Sequence, residues 1–198
     1  MYDSNAASHP PRRLNTDGIP WIFWGTLLFV FLDFRLQGFD IFPDFVGYIL
    51  IASGLWRMRE SSPLLRRASY FAIVCIPLSL GSFYEPPQDP MFAFSGFYQA
   101  PEPLFGLPFT LVLVLLNFVF GLLLSYHIIF GIGHLAQQMN RPAIESWCKP
   151  LFIARLATMT LVAALFVVPL LIIPAIAIGL TVEVIYMVFL RKAHKALL

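Results

Sequence analysis

The chain has 198 residues, 59% of them hydrophobic and only 12% charged, with a net charge of +2 and a mean hydropathy of +0.77. A soluble domain carries about 25% charged residues, so this composition cannot cover a water-facing surface and points to lipid as the solvent. The small net charge is spread over four segments rather than gathered in one patch, which argues against a nucleic-acid partner.

In chain order, residues 1–20 are polar and hold Pro10, Pro11, Arg12 and Arg13, the composition of a flexible tail. The first apolar run, 21–36, opens on Trp21 and Trp24 and has no small-residue cleavage site, so it reads as an uncleaved first span. The second, 44–56, is short. Arg57 and Arg59 can snorkel and lengthen it by a turn. Pro43 and Asp44 suit its N-terminus, and Gly47 and Gly54 share a face that admits a close neighbour.

The third run covers 68–83. A proline-rich segment follows, with an aromatic stretch at 91–98 too short to span a bilayer and suited to an interfacial flap. The fourth run, 104–135, is the longest and should tilt or emerge as a helix. Residues 151–190 would extend about 60 Å as one helix, twice the hydrocarbon thickness. Pro169 and Pro174 therefore predict a hairpin, with one span to Val168 and another from Ala175. The backbone of that turn must be satisfied by water or protein.

Six runs make an all-α polytopic membrane bundle of six transmembrane helices. Twelve of the thirteen Lys and Arg residues fall on one side of it; Arg35 alone falls on the other, with Asp33, Asp40, Asp44, Glu85, Asp89 and Glu102. Cytoplasmic loops are rich in basic residues, so both termini are expected in the cytoplasm. The chain then divides into an N-terminal tail (1–20), a six-helix transmembrane domain (21–191) and a short basic C-terminal tail (192–198). Cys75 lies within a run and Cys148 in a cytoplasmic loop; different depths and a reducing cytosol predict two free thiols, with Cys148 the accessible one.

Two groups of residues could carry chemistry. The first joins helices one and two: Asp33-Phe-Arg35-Leu-Gln-Gly38-Phe-Asp40-Ile-Phe-Pro43-Asp44-Phe-Val-Gly47-Tyr48. One guanidinium among three carboxylates predicts a bidentate bridge, with Gly38 turning the chain and Asp44 capping the second helix. The cluster serves either as a salt-bridged hairpin or as a mouth that attracts cations. Over about residues 33–55 this stretch resembles a D-x-R-x-x-G-F-D-x-x-P-D-x-x-G-Y segment of small uncharacterised bacterial multi-pass membrane proteins. The resemblance implies a place in the bacterial inner (cytoplasmic) membrane and no activity. Asp40-x-x-x-Asp44 also resembles the end of the CDP-alcohol phosphatidyltransferase signature, but the D-G-x-x-A-R half is missing and Pro43 keeps the two carboxylates out of one helical turn.

The second group lies inside the spans. Glu183 is eight residues before Arg191, about 12 Å deep, and a carboxylate there marks function by default. Counting from His134 and Lys149 brings His127 and Arg155 to comparable depth, and helical arcs add Asn117 and Tyr186. The alternatives are a structural Arg155–Glu183 pair with His127 as bystander, or a proton relay or anion site using all three.

The sequence holds no metal-spaced set, nucleophile motif or phosphate loop, so neither cofactor nor metal is expected, and whether it is an enzyme stays open. The expected partners are the lipid bilayer, a small solute or ion, and a membrane-protein partner or second copy. Passage or binding of a small solute is the leading function, a structural or assembly subunit the second and a membrane-embedded enzyme the third.

Overall fold

The computed structural model describes residues 15–31, 35–36, 39–40, 44–79, 107–164 and 172–198. The fold is all-helical, with α1 (Ile19–Phe31), α2 (Asp44–Met58), α3 (Pro63–Ser79), α4 (Leu107–Gln138), α5 (Pro142–Ala164) and α6 (Ile172–Leu197). A two-residue antiparallel ladder, β1 (Arg35–Leu36) with β2 (Phe39–Asp40), lies between α1 and α2.

The helices pack in sequence order as a ring, each against the next, and α6 closes it against α1. Neighbours run antiparallel. Gly18 meets Gly54 and Gly25 meets Gly47 between α1 and α2, Leu65 meets Gly131 between α3 and α4, and Cys148 meets Gly133 between α4 and α5. A Cβ at Gly54 would stand 2.5 Å from the Gly18 carbonyl oxygen, and one at Gly25 2.6 Å from that of Gly47, so only glycine allows this approach.

This packing collects at one end of the ring the start of α1, α3 and α5 and the finish of α2, α4 and α6. The turns at that end are capped. Asn15 N–H donates to Ser61 Oγ at 3.0 Å, fastening the chain before α1 to the α2–α3 turn. Ser62 Oγ accepts from Leu64 N–H at 3.3 Å, with Pro63 at the first helical position of α3. After α4, Asn140 takes a left-handed φ of 55°. Arg141 N–H bonds to Ala136 O at 2.8 Å and Asn140 N–H to Gln137 O at 3.1 Å, a Schellman stop. Pro142 then opens α5 at once.

The same end carries the basic residues, Arg57, Arg66, Arg67, Arg141, Lys149, Arg191, Lys192 and Lys195, all exposed. Guanidinium or ammonium groups cover tryptophan rings there: Arg57 over Trp21 (4.7 Å), Arg59 over Trp56 (4.0 Å) and Lys192 over Trp147 (4.4 Å). Fully buried side chains at this end include Ile19, Leu55, Leu65, Ile132, Leu135 and Leu190.

Outward faces are apolar elsewhere. Ile49 on α2, Ile73 on α3, Leu115 on α4, Ile153 on α5 and Ile176 on α6 are all exposed. Among the described residues two stretches, Leu115–Gln138 and Pro174–Leu197, are long and apolar enough to cross a membrane, and α1 has a shorter apolar stretch, Ile19–Leu28. Only 39% and 33% of the two long stretches is buried within the bundle, unlike the mostly buried core helix of a soluble protein.

Several boundaries differ from the sequence reading. Asn15 is already anchored, and Thr16 and Ile19 are buried, so 1–20 is not wholly a free tail. Residues 192–197 are not a tail either: α6 continues through them, with Ala193 and Leu197 buried. Cys148 is likewise not the accessible thiol, because α5 starts nine residues earlier than 151 and turns Cys148 inward. Residues 1–14, the 91–98 aromatic stretch and residues 169–171 of the predicted turn lie outside the described residues, whereas 172–174 already belong to α6.

Candidate functional site

Arg155 and Glu183 form an ion pair between α5 and α6, Nη2 to Oε1. Each helix supplies its member from a small-residue face: Gly179 lies one turn before Glu183, and a Cβ there would stand 3.5 Å from Thr158, one turn after Arg155. The Arg155 guanidinium also lies 4.1 Å from the centroid of the Tyr186 ring, which is itself 2% exposed. Tyr186 thus covers one face of the cation while Glu183 holds its edge.

The pair is not saturated. Arg155 Nε and Glu183 Oε2 are both buried and have no hydrogen-bond partner. A buried polar atom without a partner costs roughly 1–3 kcal/mol, more when it carries charge. One donor and one acceptor of the pair therefore remain unsatisfied, a combination that suits a small molecule able to accept and donate together. The threonine hydroxyls nearby do not compete, since Thr158 and Thr181 donate back to Ala154 O and Ala177 O of their own helices.

Tyr48 of α2 belongs to the same layer and was missed by the sequence reading. It is buried and within range of the charges of Arg155 and Glu183 and of the Cys75 thiol. Since α2 packs on α1 and α3, not on α5 or α6, that influence reaches across the interior of the ring. Its position one turn after Asp44 in Asp44-x-x-x-Tyr48 was the available signal.

His127 is not part of the pair. It is buried and its Nδ1 bonds to Leu123 O at 2.7 Å, with the ring 5.0 Å from Phe71 and 5.2 Å from Tyr126. The α4–α5 contacts Tyr126–Phe152 and Ile129–Cys148 set Arg155 opposite the turn before His127, and α4 presents the histidine to α3. Asn117 is ten residues further along α4, about 15 Å beyond His127, so it shares no layer with it. Its Oδ1 is buried without a partner. The five intramembrane candidates are therefore one cluster, Arg155–Glu183–Tyr186, and two separate residues.

In the α1–α2 connection, the ladder register sets Arg35 opposite Asp40 and Leu36 opposite Phe39. Asp44 is the first residue of α2, in the place foreseen for an N-terminal carboxylate. Asp33 lies outside the described residues.

Both cysteines are free and buried. Cys148 Sγ donates to Ile129 O at 3.4 Å, and its pKa is pushed from 9.0 to about 11, by burial first and by the Glu145 carboxylate second. Among the described residues no three His, Cys, Asp or Glu side chains come together as a metal-binding group. No protein-family model matches the chain, and no curated protein and no solved structure matches it either.

Proposed function

We propose that the chain is a six-span protein of a bacterial inner membrane, with both termini on the cytoplasmic side, that binds or passes a small polar solute or ion at the Arg155–Glu183 pair. The membrane placement is supported by the apolar outward faces, the two long apolar stretches, and the belt of tryptophans and basic residues at one end. Such belts mark the headgroup region, and the basic side faces the cytoplasm. The likeness of residues 33–55 to segments of small bacterial membrane proteins agrees with this placement.

The solute reading rests on one observation: a buried ion pair keeps an unpaired donor, Arg155 Nε, and an unpaired acceptor, Glu183 Oε2. Ionisable groups at this depth are costly in lipid and are kept for substrate paths or partners. A small carboxylic acid, an amide or a hydrated ion offers the matching groups. Purified protein should be melted against a panel of small acids, amides and monovalent ions, because a ligand that binds only the folded state raises its melting temperature. The reading requires a hit in wild type that disappears in Glu183→Gln. A panel without any shift contradicts it.

A second reading has its own support. The Tyr186 ring covers the guanidinium face, and the pair joins two consecutive helices, which is what a fastening between spans requires. A structural or assembly subunit would use the pair only in this way and would show no ligand shift.

A further inference from the structure

A cavity of about 520 Å3 opens at the basic end of the ring, between the start of α3, the end of α4 and the start of α5. It is distinct from the Arg155–Glu183 pair, none of whose residues lines it. Its walls change character with depth. At the rim stand Gln137, Glu145 and Lys149, all exposed. His134 follows, half-buried, and Tyr126 lies eight residues deeper on α4, about 12 Å lower. Tyr126, itself exposed, meets Phe130 at a tilt (4.7 Å between centroids), so the floor is aromatic and open on its outer side.

The rim charges are both available. Glu145 and Lys149 are one turn apart on α5, yet among the described residues the only ion pair is Arg155–Glu183. A carboxylate and an ammonium left unpaired at one rim suit a ligand that carries both signs. The gradient from charged rim to aromatic floor, running inward from the tryptophan belt, suits a ligand that is polar at one end and apolar at the other.

We propose that this cavity holds a zwitterionic phospholipid, its phosphate against Lys149, its ammonium against Glu145 and the start of an acyl chain along Tyr126 and Phe130. This rests on the membrane placement proposed above. It is a separate site from the solute site. A polar molecule of the same charge pattern without acyl chains would satisfy the rim and leave the aromatic floor unused.

The test uses the full chain in mild detergent, titrated with short-chain phosphatidylethanolamine, short-chain phosphatidylglycerol and free phosphoethanolamine. A surface charge contact at a headgroup is worth about 1 kcal/mol, so wild type should prefer phosphatidylethanolamine over phosphatidylglycerol by roughly fivefold. Glu145→Ala should abolish that preference and leave phosphatidylglycerol binding equal or tighter. Lys149→Ala should weaken both lipids. Both side chains are exposed, so neither truncation disturbs the fold. Equal binding of the two lipids by wild type, a preference that survives Glu145→Ala, or free phosphoethanolamine binding as tightly as the lipid would each overturn the assignment. Membrane flotation of the expressed protein separates the two levels: failure to float overturns the membrane placement, whereas floating without lipid preference overturns this site alone.

Discussion

Arg155 on α5 and Glu183 on α6 are ion-paired, and a second polar atom of each, Nε and Oε2, is buried with no partner. Breaking such a pair leaves a buried charge uncompensated, at a cost of about 3–5 kcal/mol. Glu183→Gln and Arg155→Gln should each lower the melting temperature clearly. The double variant should recover part of the loss, since neither charge is then stranded. Additive losses in a thermal melt of all four proteins would show that the residues do not act as a pair.

The α1–α2 seam depends on glycine. Gly54→Leu pushes a side chain into the Gly18 carbonyl and the Trp21 and Ile22 side chains, so overpacking should cost about 1–3 kcal/mol or prevent folding. Gly121 has nothing within 4 Å of where a Cβ would stand, so Gly121→Ala should express and melt like wild type. Equal melting temperatures for Gly54→Leu and Gly121→Ala would contradict the close seam.

Cys148 should resist alkylation in the folded protein. Burial and Glu145 raise its pKa from 9.0 to about 11, above the value the unfolded thiol has. Its stabilising contribution is therefore complete below pH 9 and is lost as pH rises through about 11. Maleimide should react slowly at pH 8 in the native state and quickly in denaturant. Rapid native labelling at pH 8, located at Cys148 by peptide mapping, would place this thiol outside the core.

Much of the fold was legible because its signals are local. Ser62-Pro63 and Asn140-Arg141-Pro142 carry the chemistry of helix ends, and the six apolar runs became six helices. The ends moved where packing outweighed polarity. Residues 192–197 carry Arg191's basic neighbours, yet Ala193 and Leu197 meet the core and keep α6 helical. The Arg155–Glu183 contact was readable from depth, by counting each residue from the nearest basic rim residue. His127 was misplaced for the same reason: depth and arc say how far in a side chain lies but not which helix it faces. The ring order sets α3 beside His127. Tyr48 was overlooked because it sits in a stretch read as a loop signature, while Arg155 and Glu183, whose charges reach it, lie more than a hundred residues away.

The six-span topology proposed above sets the basic end, with both termini, in the cytoplasm. Paired reporter fusions test it most directly: a reporter active only in the cytoplasm and one active only outside, each joined after Leu198 and within residues 85–102. The account predicts cytoplasmic activity after Leu198 and external activity within 85–102. External activity after Leu198, or the same side for both positions, would contradict it.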